Sequence, residues 1–154
     1  MADRETVLAA LFTALSTAKP VSGETITFER NRETAIEEST LAEGPAVIMW
    51  DGDEEAQSPE GRPLQRSPVI QTRMQPEIWG FVKAKDGENI GTTINALLKS
   101  VKAAIYGNAA LKKALGAEAT TQLSLSTGLG RGKTKQGDFA LVYAITHTED
   151  PTQA

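Results

Sequence analysis

The stretch Pro45 to Glu55, P-A-V-I-M-W-D-G-D-E-E, sets four carboxylates, Asp51, Asp53, Glu54 and Glu55, within five residues directly after an apolar run. Carboxylates at that density can coordinate a divalent cation, work as an acid–base cluster, or stay solvated on a turn. Asp51, Asp53 and Glu55 alternate as calcium ligands do. A calcium loop also needs glycine sixth and a bidentate glutamate twelfth, where this chain has Ala56 and Arg62. That reading fails on both positions. A magnesium site at a strand end would need distant acids, for which Glu33, Glu37 and Glu38 are the candidates, and all three read as solvated. Acid runs at turns are as a rule surface charge.

A second chemical signature is T-G-L-G-R-G-K-T, Thr127 to Thr134, whose ending imitates a phosphate-binding loop. That motif needs glycine five residues before Gly132, and the position holds Thr127. Its context is also a strand leading to a helix, whereas this segment lies between two expected strands. The remaining reading is a flexible hairpin loop that presents Arg131, Lys133 and Lys135 to an acidic partner or a phosphate backbone. His147, the only histidine, falls at a strand end with no nucleophile near it in sequence. Trp50 and Trp79 each sit in an apolar strand and read as core or interface. The chain has no cysteine, so thiolate and disulfide chemistry are excluded. The residues assemble no catalytic constellation, and no metal or cofactor is expected.

A chain of 154 residues fits one domain, expected over 1–148 with a loose tail at 149–154. Aromatic residues make up only 5%, so the core must rest on aliphatic packing. The formal charge of −4 conceals an asymmetry. Residues 29 to 60 hold ten acids against Arg30 and Arg32, while from 61 onward twelve Lys and Arg face seven acids. A folded surface with two poles of opposite sign is the expectation. The N-terminus lacks the basic-then-apolar order of a secretory signal, and no apolar run is long enough to span a membrane. A soluble, non-exported protein is expected.

The elements that must position these residues follow from periodicity. A first helix is expected from Arg4 to Ala18, capped by Asp3, with Val7, Leu8, Leu11, Phe12 and Leu15 on one face. T-I-T-F-E-R alternates as a half-buried strand. Ala46 to Trp50 is apolar on both faces, as a central strand would be, and Asp51-Gly52 supplies its turn. Ala56 to Pro68 reads as a long loop. Val69 to Val82 resumes as strand, with Pro76 marking an edge, a bulge or a break, Trp79 and Phe81 on one face, and Ile78 and Val82 on the other.

Asn89 caps a helix in which Ile90, Ile94, Leu97, Leu98, Val101 and Ile105 recur at helical spacing. Gly107 closes it, and Asn108 caps a shorter helix through Leu115, which Gly116 ends. Leu123 and Leu125 alternate with Gln122, Ser124 and Ser126 as a strand. A last strand, Asp138 to Thr148, points Phe139, Leu141, Tyr143 and Ile145 toward the helices. This order predicts an α+β two-layer sandwich, a mixed and mostly antiparallel sheet covered by two main helices and one short helix.

The opening helix R-E-T-V-L-A-A-L-F-T-A-L, the strand exit F-E-R-N-R and the segment P-A-V-I-M-W-D-G-D-E-E together resemble the tail terminator family of long-tailed bacteriophages, the minor tail protein U-like proteins. So do M-Q-P-E-I-W-G-F-V, I-G-T-T-I-N-A-L-L-K-S-V and G-D-F-A-L-V-Y-A-I-T. The resemblance covers nearly the whole chain as element order and patterning, without one diagnostic motif. It implies a non-enzymatic subunit of a hexameric ring that caps the tail tube protein, ends tube growth and presents a docking surface to a head-completion or connector protein. It also implies assembly in the host cytoplasm, a place in the virion at the head–tail junction, no membrane, and DNA passing through the lumen without sequence-specific binding. Asp51, Asp53, Glu54 and Glu55 on one side, and Arg131, Lys133 and Lys135 on the other, are then the candidate interface residues. A head-to-tail joining or tail-completion protein is the alternative within virion architecture. A nucleotide- or metal-dependent enzyme using Lys133 with Asp51 and Asp53 is the alternative outside it, and a nucleic-acid-binding module using the basic loop is a third.

Overall fold

The computed structural model describes residues 4–20, 23–34, 41, 43–57, 70–83, 89–115, 121–129 and 136–149. In chain order they form α1 (Arg4–Leu15), β1 (Thr27–Arg30), β2 (Ala46–Gln57), β3 (Ile70–Lys83), α2 (Ile90–Tyr106), α3 (Ala109–Leu115), β4 (Thr121–Leu129) and β5 (Gln136–Glu149). The strands make one sheet in the order β1-β2-β3-β5-β4. Only β1 and β2 run parallel, and every other neighbouring pair is antiparallel. The fold is the expected two-layer α+β sandwich. Among the described residues no helix is long and apolar enough to cross a membrane.

The helices form where apolar spacing and caps coincide. Asn89 Oδ1 accepts from the amides of Gly91 and Thr92, and this cap starts α2, whose Ile94, Leu97, Leu98, Val101 and Ile105 are buried. Asn108 Oδ1 accepts from the Leu111 amide at 2.9 Å and starts α3 in the same way. Helix α1 buries Val7, Leu8, Leu11, Ala14 and Leu15 but stops at Leu15, short of Ala18. Its end is a tightened turn. The Ser16 amide still donates to the Phe12 carbonyl, but the amides of Thr17 and Ala18 donate to the carbonyls of Ala14 and Leu15, three residues back, at 3.1 Å each, and the Thr17 hydroxyl also donates to the Ala14 carbonyl at 2.6 Å. Asp3 and Gly116 lie outside the described residues.

Helix α2 packs on β3 and β5, and α1 packs against α2 and α3. The core lies between these helices and one face of the sheet, where Val47, Met49, Met74, Ile78, Val82, Phe139, Leu141, Tyr143 and Ile145 are buried. Phe139, Leu141, Tyr143 and Ile145 share that face as the alternation predicts. Gly80 also lies on it, opposite Phe139. A Cβ at Gly80 would fall 2.2 Å from Phe139 Cε1, so the glycine is what lets the ring lie flat against the sheet.

Two expectations for the strands change, and among the three offered for Pro76 one holds. Asp51-Gly52 does not turn the chain: β2 continues to Gln57, so Ala56 and Gln57 belong to a strand and not to a loop. Pro76 marks neither an edge nor a break, because β3 is central and runs unbroken between β2 and β5. The expected bulge is what Pro76 marks: Trp50 pairs with Glu77 and Asp53 with Gln75, which leaves Asp51 and Gly52 together opposite Pro76. In β4 a register shift between Gln122 and Ser124 interrupts the expected alternation.

Replacing Gly80 with Ala should cost about 1–3 kcal/mol through overpacking, read as a lower urea midpoint at unchanged slope. Adding Phe139→Leu should recover part of that loss, which a double-mutant cycle measures directly.

Candidate functional site

The bulge decides where each carboxylate of the acidic run goes. Strand side chains alternate between faces, and two residues opposing one shift the phase. Asp51 and Glu54 therefore lie on the helix side of β2, whereas Asp53 and Glu55, paired with Gln75 and Arg73, lie on the opposite, open side. Gly52 allows this with φ of 72°, and a Cβ there would meet the Gln75 carbonyl oxygen at 2.0 Å. Pro76, which has no amide hydrogen to contribute, occupies the irregular point of the ladder.

On the helix side the acids are taken up within the subunit. Arg30 donates from Nε and Nη2 to the two oxygens of Asp51 at 2.8 and 3.1 Å, and from Nη1 and Nη2 to the two oxygens of Glu5 at 2.9 and 3.0 Å. Arg4 pairs with Glu54 and lies 3.8 Å from Asp51. These contacts tie α1, β1 and β2 together at one end. Burial by itself would raise the Asp51 carboxyl, but hydrogen bonds from Arg30 and Asn31 and the charges of Arg30 and Arg4 outweigh it, leaving the group below its ordinary value. Glu5 is lowered as well, by its hydrogen bond with Arg30 first and by that residue's charge second. Such carboxylates are held ionised and already matched by cations, the wrong state for a general acid.

Asn31 completes this end. It adopts φ of 53°, donates its backbone amide to the Met49 carbonyl at 2.7 Å and accepts the Asp51 amide on its side-chain oxygen at 2.9 Å. Arg32 then pairs with Glu29 at 2.5 Å, and its carbonyl accepts from Trp50 Nε1 at 3.1 Å. The indole is thereby fixed on the open face of the sheet.

That open face carries an aromatic strip. Trp50 meets Trp79 edge-on at 6.2 Å between ring centroids, and Trp79 stacks on Phe81 at 6.3 Å. All three rings are half-buried, while Ile48 beneath them is only 1% exposed. Among the described residues no helix packs on this face. Asp53, Glu55, Glu77 and Asp138 lie on it and form no ion pair with a described residue, and the same face carries Arg73, opposite Glu55, and Lys83 at the end of β3. A shallow hollow of about 450 Å³ opens beside Trp50, Trp79, Asp53 and Glu77.

Of the residues expected to matter, Asp53 and Glu55 remain on the open side of the sheet, and Asp51 and Glu54 pair with Arg30 and Arg4 within the chain. Arg131, Lys133 and Lys135 lie outside the described residues, as do 58–69 of the expected long loop and the tail after Glu149. His147 falls in β5, opposite Thr72. Among the described residues no three carboxylate or histidine side chains gather as a metal site would require. Sequence reasoning missed Glu77, although it alternates in phase with Trp79 and Phe81, and it missed Arg4 and Arg30, whose partners are distant in sequence. The chain matches no protein-family model and no curated protein.

Because the Asp51 carboxyl is lowered on folding, its contribution is fully present above the ordinary aspartate range and is lost as pH falls through its folded value. Arg30→Gln should remove about 1–2 kcal/mol near neutral pH and flatten this part of the acid limb. Urea denaturation from about pH 6 down to about pH 3 checks both effects. An unchanged acid limb in the variant would show that the pair contributes nothing to folding.

Proposed function

We propose that the chain is a structural subunit of a bacteriophage tail, a terminator that assembles as a ring on the tail tube, ends its polymerisation and offers the head side a docking surface. The observation that carries this reading is the half-buried aromatic strip on a sheet face that no described helix covers, flanked by acids that form no ion pair with a described residue. A half-buried strip of two indoles and a phenyl ring is expensive to leave in water and is the usual chemistry of a protein contact. It occupies only one layer, so a neighbour meeting it with a different surface forms a heterologous contact, the kind from which rings are built.

The remaining support is of two kinds. The two-layer α+β fold is the kind of subunit that the resemblance implies. The carboxylates that suggested metal or acid–base chemistry are divided between internal ion pairs and an open rim, an arrangement that favours a structural role for Asp51 over an enzymatic one. Lumen-facing or connector-facing roles for Arg131, Lys133 and Lys135 belong to the same proposal.

Tail tubes growing in the presence of the purified protein should stop at a uniform length with a ring at one end, seen by negative-stain electron microscopy. Growth that continues unchecked would sink the reading. Loss of the gene should give overlong tails. Tails of normal length beside separate, filled heads would assign the chain to head–tail joining instead.

A further inference from the structure

We infer that the open sheet face of one copy docks against the groove between α1 and α2 of the next, with the acidic rim of the first facing the lysines of the second. The two surfaces lie on opposite layers of the subunit and are complementary in polarity and in charge. Helices α2 and α3 carry Lys99, Lys102, Lys112 and Lys113 and no acidic residue. None of these lysines forms an ion pair with a described residue.

Between the end of α1 and the outer side of α2 runs an apolar groove of about 560 Å³. Ala18, Pro20, Ala96 and Ala103 line it, with Lys19 and Lys99 at its margin. The groove is a fixed feature, because Ser100 Oγ donates to the Lys19 carbonyl at 2.7 Å and ties the end of α1 to the middle of α2. Small side chains leave room for rings, and Trp79 and Phe81 are the rings available. Lysines at the margin then reach Asp53 and Glu77, beside which the indoles of Trp50 and Trp79 offer faces to a cation. Around the indoles the sheet face carries Asp53 and Glu77, with Arg73 and Lys83 farther along β3 to either side, so two sheet faces meeting at the aromatic strip would bring acid to acid, and two helix layers lysine to lysine. Charge therefore selects the sheet-to-helix contact, which is heterologous and propagates in one direction.

This contact deepens the ring reading and rests on it only for closure of the ring. Association between copies is measurable without tail tubes. Copies that associate this way yet leave tubes growing would sink the terminator reading and leave the contact standing.

The test uses two variants of the full chain, Asp53→Lys with Glu77→Lys, and Lys19→Glu with Lys99→Glu. Asp53, Lys19 and Lys99 are exposed and Glu77 is half-buried at the edge of the hollow, so both variants should keep the wild-type circular dichroism spectrum, with the thermal midpoint of each measured alongside. In sedimentation velocity over a concentration series, the wild type should associate, and each variant alone should associate at least about tenfold more weakly. An equimolar mixture should recover association to within about threefold of wild type, because each variant then presents one surface that matches the other. A wild type that stays monomeric throughout the series would overturn the inference, as would variants that associate normally alone or a mixture that does not recover.

Discussion

The structure depends on one extra residue. At Asp51 and Gly52, β2 spends two residues against the single Pro76 of β3, and the phase of the strand reverses there. Before the bulge, Val47 and Met49 point into the core, and after it Glu54 points to the helix side while Asp53 and Glu55 point away. A regular strand would have given the opposite result, placing Asp53 and Glu55 under the helices and Glu54 outside. Pro76 makes the reversal compatible with a central strand, since the missing amide falls where the ladder is already irregular. Gly52 makes it compatible with the backbone, since a side chain there would strike the Gln75 carbonyl.

From that reversal comes the division of labour among the carboxylates. Those on the helix side meet Arg4 and Arg30 and join three elements at one end of the molecule. Those on the open side form no ion pair with a described residue. Charge that looks like one cluster along the chain is two populations in space, one spent on cohesion and one left at the surface. The aromatic strip shares this open side because Ile48 and Trp79 are register partners, which brings Trp50 and Phe81 alongside the same ring.

Much of this was legible in the residues wherever the signal is local. The period of Ile94, Leu97, Leu98, Val101 and Ile105 and the cap at Asn89 define α2 without reference to the rest of the chain. The alternation of β5 gives its core face in the same way. Legibility fails where the deciding partner is distant. Asp-Gly is a strong turn signal read alone, and only Pro76, more than twenty residues later, makes it a bulge. Arg30 gives no local sign that it will bridge Glu5 and Asp51. The aromatic strip was half visible: each tryptophan read as core or interface, but their meeting depends on a strand register that no local pattern encodes.

The edge of the sheet at β1 has a consequence of its own. This strand is four residues long and is ended by Asn31 in a left-handed conformation, with the Glu29–Arg32 pair closing over its exit. A border so short and so charged offers little backbone to a foreign strand, which protects that side from the runaway strand addition that leads to fibrils. The protein can therefore carry a half-buried aromatic strip on its sheet while keeping that side of its backbone closed to templating.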